Sequence, residues 1–389
     1  MEKVKHQVKF HGRGMEFFGI WIVNILLSIV TLGIYSAWAK VRTNRYFYGN
    51  TSIGGDSFDY HAKPMQILKG RLIALVLVLI WSVSNAFFPL FAAVLLIIFY
   101  LAVPWLLWSN ARFDAAMTSF RNVRFSFDAK LSGAYKAMMG RGIAALVVAI
   151  IYMAVVGMLA SQSVALVIGL SLLALPLFIG LYAWIMAGMN RYFVNGYRFG
   201  DWSFSATIET RFYLVTYLKA LAMGVVVLAI IAGGLFATFA SGVSLDELLN
   251  GNFRAMEAVM PVMFGLIYAS FFVVILALSA YVTCCVRNYT FAQLALSQSE
   301  EAEAPSFDFE STFGVTSYVW LVVSNFLLQV VTLGLGTAWA KVRAANYVAE
   351  NTQVRGELEL LAALDQDSNV KSAVTDEIAQ AFDLSTGIG

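Results

Sequence analysis

The sequence predicts an all-α polytopic membrane protein, and three observations lead to that fold class. The chain has 389 residues, of which 60% are hydrophobic and only 13% are charged, whereas a soluble domain carries about 25% charged residues. The apolar residues fall in runs of 18 or more, a length that crosses a hydrocarbon core of about 30 Å. Nearly all Lys and Arg residues lie between these runs.

Eight apolar segments divide the chain. Two of their connections, at Phe88-Pro89 and at 161–163, are short and uncharged, whereas 25 of the 26 basic residues lie in the termini and the longer connections. Because basic loops stay in the cytoplasm, segments two to seven are predicted to form three hairpins that point outward from a bacterial inner membrane. The segments cover residues 17–39, 71–88, 90–108, 142–160, 164–189, 214–240, 260–286 and 314–340.

The first and last apolar segments are related by an internal repeat. Residues 24–51 align without a gap with residues 325–352, with 16 identities in 28 positions. The shared core is Thr-Leu-Gly followed by Ala-Trp-Ala-Lys-Val-Arg, which begins at Thr31 in the first copy and at Thr332 in the second. A repeat of this length indicates two copies of one structural unit.

Two topologies are open for these terminal segments. If Phe17–Ala39 crosses the membrane once, the basic N-terminus lies outside, and the same argument places Lys341 outside, both against the positive-inside bias. Alternatively, Phe17–Val30 forms a helix of about 21 Å that turns at residues 31–33 and returns. We favour this re-entrant interpretation, with both termini inside, because it removes the conflict with the positive-inside bias, and glycine permits the turn.

Short cytoplasmic β-strands are predicted between the helices. Polar and aromatic residues alternate at 57–60, 125–128, 202–205 and 306–309, after turn-forming residues, and the N-terminal stretch 8–12 is a further candidate. A phenylalanine follows Arg45, Arg112 and Arg191 after thirteen residues in each case. This spacing predicts that Arg45 and Arg191 occupy equivalent positions, each close to its own downstream strand.

Aromatic and basic residues at the cytoplasmic ends of the segments are the candidate site. Such residues anchor helices at the headgroup level, and basic clusters there attract anionic lipid. Plain anchoring and specific headgroup or ligand binding are therefore both open. The candidates are Trp38, Lys40, Arg42, Arg45, Tyr46, Arg112, Arg191, Tyr192, Arg287, Trp339, Lys341 and Arg343.

Other chemistry is sparse in the sequence. Asn24 and Asn325, at matched positions of the repeat, are intramembrane polar residues typical of hydrogen bonds between helices. Acidic, basic and histidine side chains are missing from the central portions of the segments, so ion coupling is not expected. The sequence predicts no catalytic residues, no metal site and no cofactor, and the net charge of +2 gives no reason to expect nucleic acid.

The predicted domain division is a membrane domain over 1–352 and an acidic cytoplasmic tail over 353–389. The tail includes a short amphipathic helix at about 372–383, where Val374, Ile378, Ala381 and Phe382 follow helical spacing. This helix could dock on the basic loops or on a partner protein.

The stretch Thr31–Arg71, its C-terminal echo and the tail sequence VTDEIAQAFDLSTGIG resemble the YjgN-type family of bacterial inner-membrane proteins. The resemblance extends over essentially the whole chain. It implies a multi-pass inner-membrane protein of a family defined as a domain of unknown function, and it supplies no catalytic residues.

Three functional hypotheses follow. The leading one is a non-enzymatic membrane protein that handles lipid, including anionic lipid, or a small uncharged or hydrophobic solute without ion coupling. The first alternative is a scaffold or regulator that recruits a cytoplasmic protein partner. The third is an enzyme that modifies lipid headgroups.

Overall fold

The computed structural model describes residues 3–160, 163–242, 254–298 and 306–361. Six of its helices are long and apolar enough to cross a membrane, and two further apolar helices have only 17 residues each. The chain is therefore a polytopic helical protein, as the composition predicts. The predicted amphipathic helix at 372–383 lies outside the described residues.

The helices are, in chain order, α1 Gly14–Val30, α2 Ser36–Gly49, α3 Pro64–Phe87, α4 Pro89–Met117, α5 Leu131–Tyr135, α6 Arg141–Leu159, α7 Val164–Val194, α8 Thr210–Gly242, α9 Arg254–Gln293, α10 Val315–Val331 and α11 Thr337–Glu350. A π-helical turn, Lys136–Gly140, joins α5 to α6. Proline begins α3 and α4, where its missing N–H costs no helical hydrogen bond.

Ten short strands form a closed antiparallel barrel at one end of the helices. They are β1 Lys5–Phe10, β2 Thr51–Ile53, β3 Asp56–Tyr60, β4 Thr118–Phe120, β5 Val123–Phe127, β6 Tyr197–Phe199, β7 Trp202–Ala206, β8 Leu294–Ser297, β9 Ser306–Ser311 and β10 Thr352–Arg355. The N-terminal β1 closes the barrel, because it pairs with β2 through Val8 and Ile53 and with β10 through Lys5 and Arg355.

The barrel interior is an apolar core. Phe120, Phe199 and Phe307 are buried there, and a cavity of about 130 Å³ remains among the inward-facing side chains. Leu358, from the 3₁₀ turn Leu358–Leu360 after β10, is buried in the same core. The guanidinium of Arg121 donates to the Leu358 carbonyl at 2.6 Å and pairs with Asp56. The chain from β10 to Leu361 thus packs on the barrel.

Each pair of helices leaves the barrel from one strand and returns to the next. We number these pairs hairpin 1 (α1 and α2), hairpin 2 (α3 and α4), hairpin 3 (α5, α6 and α7), hairpin 4 (α8 and α9) and hairpin 5 (α10 and α11). Neighbouring pairs pack side by side, and α1 also packs on α11, so the hairpins form a ring above the barrel. Hairpins 2 to 4 are long, and hairpins 1 and 5 are short.

The two short hairpins have the same backbone. In hairpin 1 the chain reverses between α1 and α2, with Leu32 at φ 51° and Gly33 at φ 91°; in hairpin 5, Leu333 and Gly334 have φ 51° and 90°. The side-chain amide of Asn24 donates to the Ala39 carbonyl at 3.5 Å, and that of Asn325 donates to the Ala340 carbonyl at 3.2 Å. These asparagines brace the two arms of each hairpin.

The short hairpins decide between the two topologies left open by the sequence. Residues 17–39 are not one continuous helix, because α1 ends at Val30 and α2 starts at Ser36. The strands on either side of hairpin 1, β1 and β2, pair with each other. The chain therefore returns to the end from which it started, and a single crossing by residues 17–39 is wrong.

Candidate functional site

Arg45 and Arg191 occupy equivalent places at the feet of their hairpins, which are the ends of the helices that join the barrel strands. Arg45 donates from Nε to the Tyr60 carbonyl at 3.4 Å and from Nη2 to the Ala62 carbonyl at 3.5 Å. Arg191 donates from Nε and Nη2 to the Ile208 carbonyl, at 3.1 Å from Nε. As the thirteen-residue spacing predicts, each arginine lies close to its own downstream strand: Arg45 binds the last residue of β3, and Arg191 binds the second residue after β7. Both guanidinium groups therefore tie one hairpin to the start of the next.

The tyrosine of the same motif ties a hairpin to its own first helix. The Tyr46 hydroxyl accepts from the Arg13 amide at 2.8 Å and donates to the Arg13 carbonyl, immediately before α1. Burial raises the pKa of the Tyr46 phenol above its ordinary value. Tyr192 binds the Lys130 carbonyl before α5, and Tyr347 binds Gly314 before α10. The tyrosines thus stabilise the foot of the hairpins.

Other aromatic and basic candidates also contact protein groups. The Arg112 guanidinium lies over the Trp108 ring at 5.4 Å. Arg287 lies 4.3 Å from the Phe291 ring centroid and 4.7 Å from that of Phe313, and it donates to the Thr352 hydroxyl. Trp38 packs against the buried cluster around Ala37 and Phe113, and Trp339 stacks on Phe18. These contacts position helices against the barrel and against each other.

A large open cleft brings three of the candidates together. Its volume is about 690 Å³, and we call it the N-terminal cleft because hairpin 1 supplies most of its wall. Lys40, Lys341 and Asn24 line it, whereas Asn325 lies elsewhere. The full lining is Trp21, Asn24, Ile25, Ser28, Ile29, Ser36, Ala39, Lys40, Thr43, Asn44, Tyr48, Arg71, Asp114 and Lys341.

The lining of the N-terminal cleft is amphipathic. Trp21, Ile25 and Ile29 line the cleft from α1 at helical spacing, and two polar side chains of α1 lie between them on the same face. Helix α2 adds further polar side chains. Arg71 from α3 and Asp114 from α4 add charges from hairpin 2, and Lys341 comes from hairpin 5. The cleft can therefore hold a molecule with one charged or polar end and one apolar end.

Comparison with known proteins places this arrangement in a family. The family model described as a bacterial protein of unknown function, DUF898, matches residues 5–381. The chain belongs to the DUF898 family. It is 27% identical over 386 residues to the "Inner membrane protein YjgN" of Salmonella typhimurium strain LT2, covering 95% of this chain and 93% of the relative.

The same protein name recurs for two relatives from Escherichia coli. The O157:H7 and K12 proteins, both also named "Inner membrane protein YjgN", are each 24% identical to this chain over 94% of it and over 93% of their own lengths. No solved structure matches significantly. The DUF898 member described here is therefore a multi-pass protein of an inner-membrane family whose function is unknown.

Three residues of the N-terminal cleft in this DUF898 protein could not be singled out from the sequence. Asn44 belongs to the repeated Asn-Arg-Tyr-Phe string, but its counterpart Asn190 instead donates to Tyr213 and Thr290. Arg71 and Asp114 lie on other helices, 27 and 70 residues further along the chain than Asn44. These residues meet because hairpin 2 packs against hairpin 1. No local sequence pattern predicts that packing.

Arg42 and Arg343 lie on the same helices as Lys40 and Lys341 but outside the N-terminal cleft. Both are exposed, and Arg343 donates to the Ser324 hydroxyl at 2.9 Å. Within the described ranges, no group of three or more His, Cys, Asp or Glu side chains could hold a metal ion. The side chains that line the cleft can make ion pairs, hydrogen bonds and apolar contacts.

Proposed function

We propose that this protein is a non-enzymatic lipid-handling protein that takes a membrane lipid into the N-terminal cleft without ion coupling. The observation that carries the proposal is the amphipathic lining, in which three apolar side chains of α1 share one cleft with polar groups on α1, α2, α3 and α4. A bilayer lipid has the same division between acyl chains and headgroup. Its headgroup would meet the polar wall while its chains follow Trp21, Ile25 and Ile29.

The orientation we propose places the barrel and both of its terminal strands in the cytoplasm. The basic connections lead into the barrel strands, and basic connections favour the cytoplasmic side. The polar side chains that α2 contributes to the cleft lie between Ser36 at its tip end and Asn44 near its middle, and they would then meet the inner headgroups. Cytoplasmic strands between inner-membrane helices follow from the same argument.

The short hairpins would give lipid a lateral entrance. Helix α1 has 17 residues and is about 25 Å long, which is less than the hydrocarbon thickness of about 30 Å. Hairpins 1 and 5 are neighbours in the ring, because α1 packs on α11. The helices on this side of the ring are therefore too short to cross the hydrocarbon core, and lipid chains can reach the cleft without passing between long helices.

Blocking the N-terminal cleft tests the proposal without altering its charge. Ser28 lines the cleft, and Gln329 is its counterpart in hairpin 5, outside the cleft. We expect native mass spectrometry of gently extracted protein to show retained lipid in the wild type and in Gln329→Phe, and much less in Ser28→Phe. A wild type without retained lipid, or equal loss in both variants, would contradict the proposal. A retained protein instead of lipid would favour the scaffold alternative.

A further inference from the structure

We infer that the lipid taken by the N-terminal cleft is an anionic phosphodiester whose headgroup carries hydroxyl groups, the chemistry of phosphatidylglycerol. The inference rests on the proposed function, since it specifies the lipid for the same cleft. Two independent features of the lining support it, namely the balance of its charges and one buried acceptor that lacks a donor.

The charge balance of the cleft favours an anion. Among the lining residues that the structure describes, Lys40, Arg71 and Lys341 are cationic and Asp114 is the one carboxylate. The sum is three minus one, so the cleft has a formal charge of +2. A phosphodiester lipid with no cationic group neutralises part of this charge, whereas a zwitterionic headgroup also brings an ammonium that the excess of cations repels.

Asn24 indicates the second property of the headgroup. Its side chain lines the cleft, is 4% exposed, and has a buried Oδ1 that accepts no hydrogen bond from the described residues. The Oδ1 of Asn325 is likewise buried without a donor among the described residues, but Asn325 does not line the cleft. A buried acceptor without a donor is unfavourable, so a ligand that brings a donor is favoured. The phosphate oxygens of a diester are acceptors only, and the net positive charge disfavours an ammonium donor. A headgroup hydroxyl is the donor that meets both conditions.

The polar neighbours of Asn24 suit a hydroxyl-bearing group as well. Ser28, Ser36 and Thr43 supply hydroxyls, and Asn44 supplies a second amide, all on the lining of the cleft. Hydroxyl and amide side chains both donate and accept hydrogen bonds. They can therefore surround a glycerol headgroup, while the lysines and the arginine contact the phosphate.

Three lipids of matched chain composition separate these two features. Phosphatidylglycerol and phosphatidylethanolamine differ in net charge, whereas phosphatidylglycerol and phosphatidylmethanol share the same charge and differ in headgroup hydroxyls. The purified full-length protein is placed in nanodiscs that contain equal amounts of two of these lipids. Native mass spectrometry then gives the ratio of the two lipids retained by the protein.

The charge arm compares phosphatidylglycerol with phosphatidylethanolamine. We expect the wild type to retain phosphatidylglycerol preferentially and Lys40→Gln to lower that preference about fivefold, the effect of one interfacial charge. Arg42→Gln, two residues away and outside the cleft, should leave the preference unchanged. Retention of both lipids at equal ratio would overturn this inference and leave the proposed function standing, whereas no lipid retention would overturn the proposed function itself.

The hydroxyl arm compares phosphatidylglycerol with phosphatidylmethanol. We expect the wild type to prefer phosphatidylglycerol by about two- to tenfold, the range of one hydrogen bond. Asn24→Leu should abolish this preference and keep the preference over phosphatidylethanolamine. Asn325→Leu removes the matching amide from hairpin 5 and should change neither ratio. Equal retention in the wild type, or an equal effect of both asparagine variants, would overturn the assignment of Asn24 to the headgroup.

Discussion

The short hairpins 1 and 5 and the long hairpins 2 to 4 share their feet and differ in their tips. At the barrel end, Arg45 of hairpin 1 binds the Tyr60 carbonyl at the end of β3, and Arg191 of hairpin 3 binds the Ile208 carbonyl after β7. Tyr46 and Tyr192 bind the backbone just before the first helix of their own hairpins. The barrel end of a hairpin is thus specified independently of how far the hairpin extends.

The tips show what the extra length changes. Long hairpin 2 turns at Phe88-Pro89 between helices of 24 and 29 residues, and most of their large apolar side chains are exposed. Short hairpin 1 turns after 17 residues, uses Leu32 and Gly33 at positive φ, and adds the brace from Asn24 to Ala39. The short hairpins thus combine a reversal at positive φ with an asparagine that links their two arms, and they supply most of the N-terminal cleft.

The largest expected effect concerns the side on which each tip and terminus lies. A fluorescent protein fused after Gly389 should be bright, and alkaline phosphatase fused at the same place should be inactive. Hairpin 5 returns β10 to the barrel beside β1, and the barrel lies in the cytoplasm in the orientation that we propose. The same reporters inserted after Phe88, at the tip of hairpin 2, should give the reverse signals. Active phosphatase at the C-terminus would show that the short hairpins do not return to the cytoplasm.

The comparison also shows what the sequence can and cannot predict. The apolar helices, the repeat and the second strand of four β-hairpins, such as Asp56–Tyr60 and Trp202–Ala206, carry local patterns. The first strand of three of these β-hairpins has only three residues, as in Thr51–Ile53, which is too short for alternation to be recognised. Barrel closure depends on the pairing of β1 with β10, two strands that lie more than 340 residues apart in the sequence.

The candidate site was predictable only in part for the same reason. Lys40 and Lys341 stand out through the repeat, but nothing near them in the sequence indicates that Arg71 and Asp114 face the same cleft. Conversely, Arg45 and Arg191 share a conspicuous motif and turn out to bind backbone carbonyls. Residue type and spacing identify the foot of a hairpin, but they do not distinguish a structural arginine from one that meets a ligand.

The next effect in size tests whether the feet of short and long hairpins are equivalent. Arg191→Gln should lower the free energy of unfolding by about 1.5–3 kcal/mol, because it removes a charged donor from the Ile208 carbonyl. Arg45→Gln should also destabilise the protein, by no more than the lower end of that range, since its contacts are 3.4 and 3.5 Å long. Denaturant unfolding in detergent measures both values.

The exposed Arg42 supplies the control for this pair. It lies on α2, three residues before Arg45, and Arg42→Gln should change the free energy of unfolding by less than about 0.5 kcal/mol. If Arg42→Gln and Arg45→Gln have equal effects, both residues act only as interfacial anchors. If Arg191→Gln alone is destabilising, the feet of short and long hairpins are not equivalent.

The smallest effect comes from replacing glycine by alanine, which should lower the free energy of unfolding in a short hairpin and raise it in a long one. Gly33 has φ 91° at the tip of hairpin 1, and an added Cβ there meets no atom within 4 Å. Gly33→Ala should therefore cost about 1–2 kcal/mol through backbone conformation alone. Gly169, inside α7 of long hairpin 3, also has open space around a new Cβ. There the alanine variant should gain about 0.5–1 kcal/mol, because glycine is a poor helix residue. Thermal melting of both variants in the same detergent checks the prediction. A higher melting temperature in Gly33→Ala than in the wild type would mean that the reversal between α1 and α2 does not need the left-handed backbone.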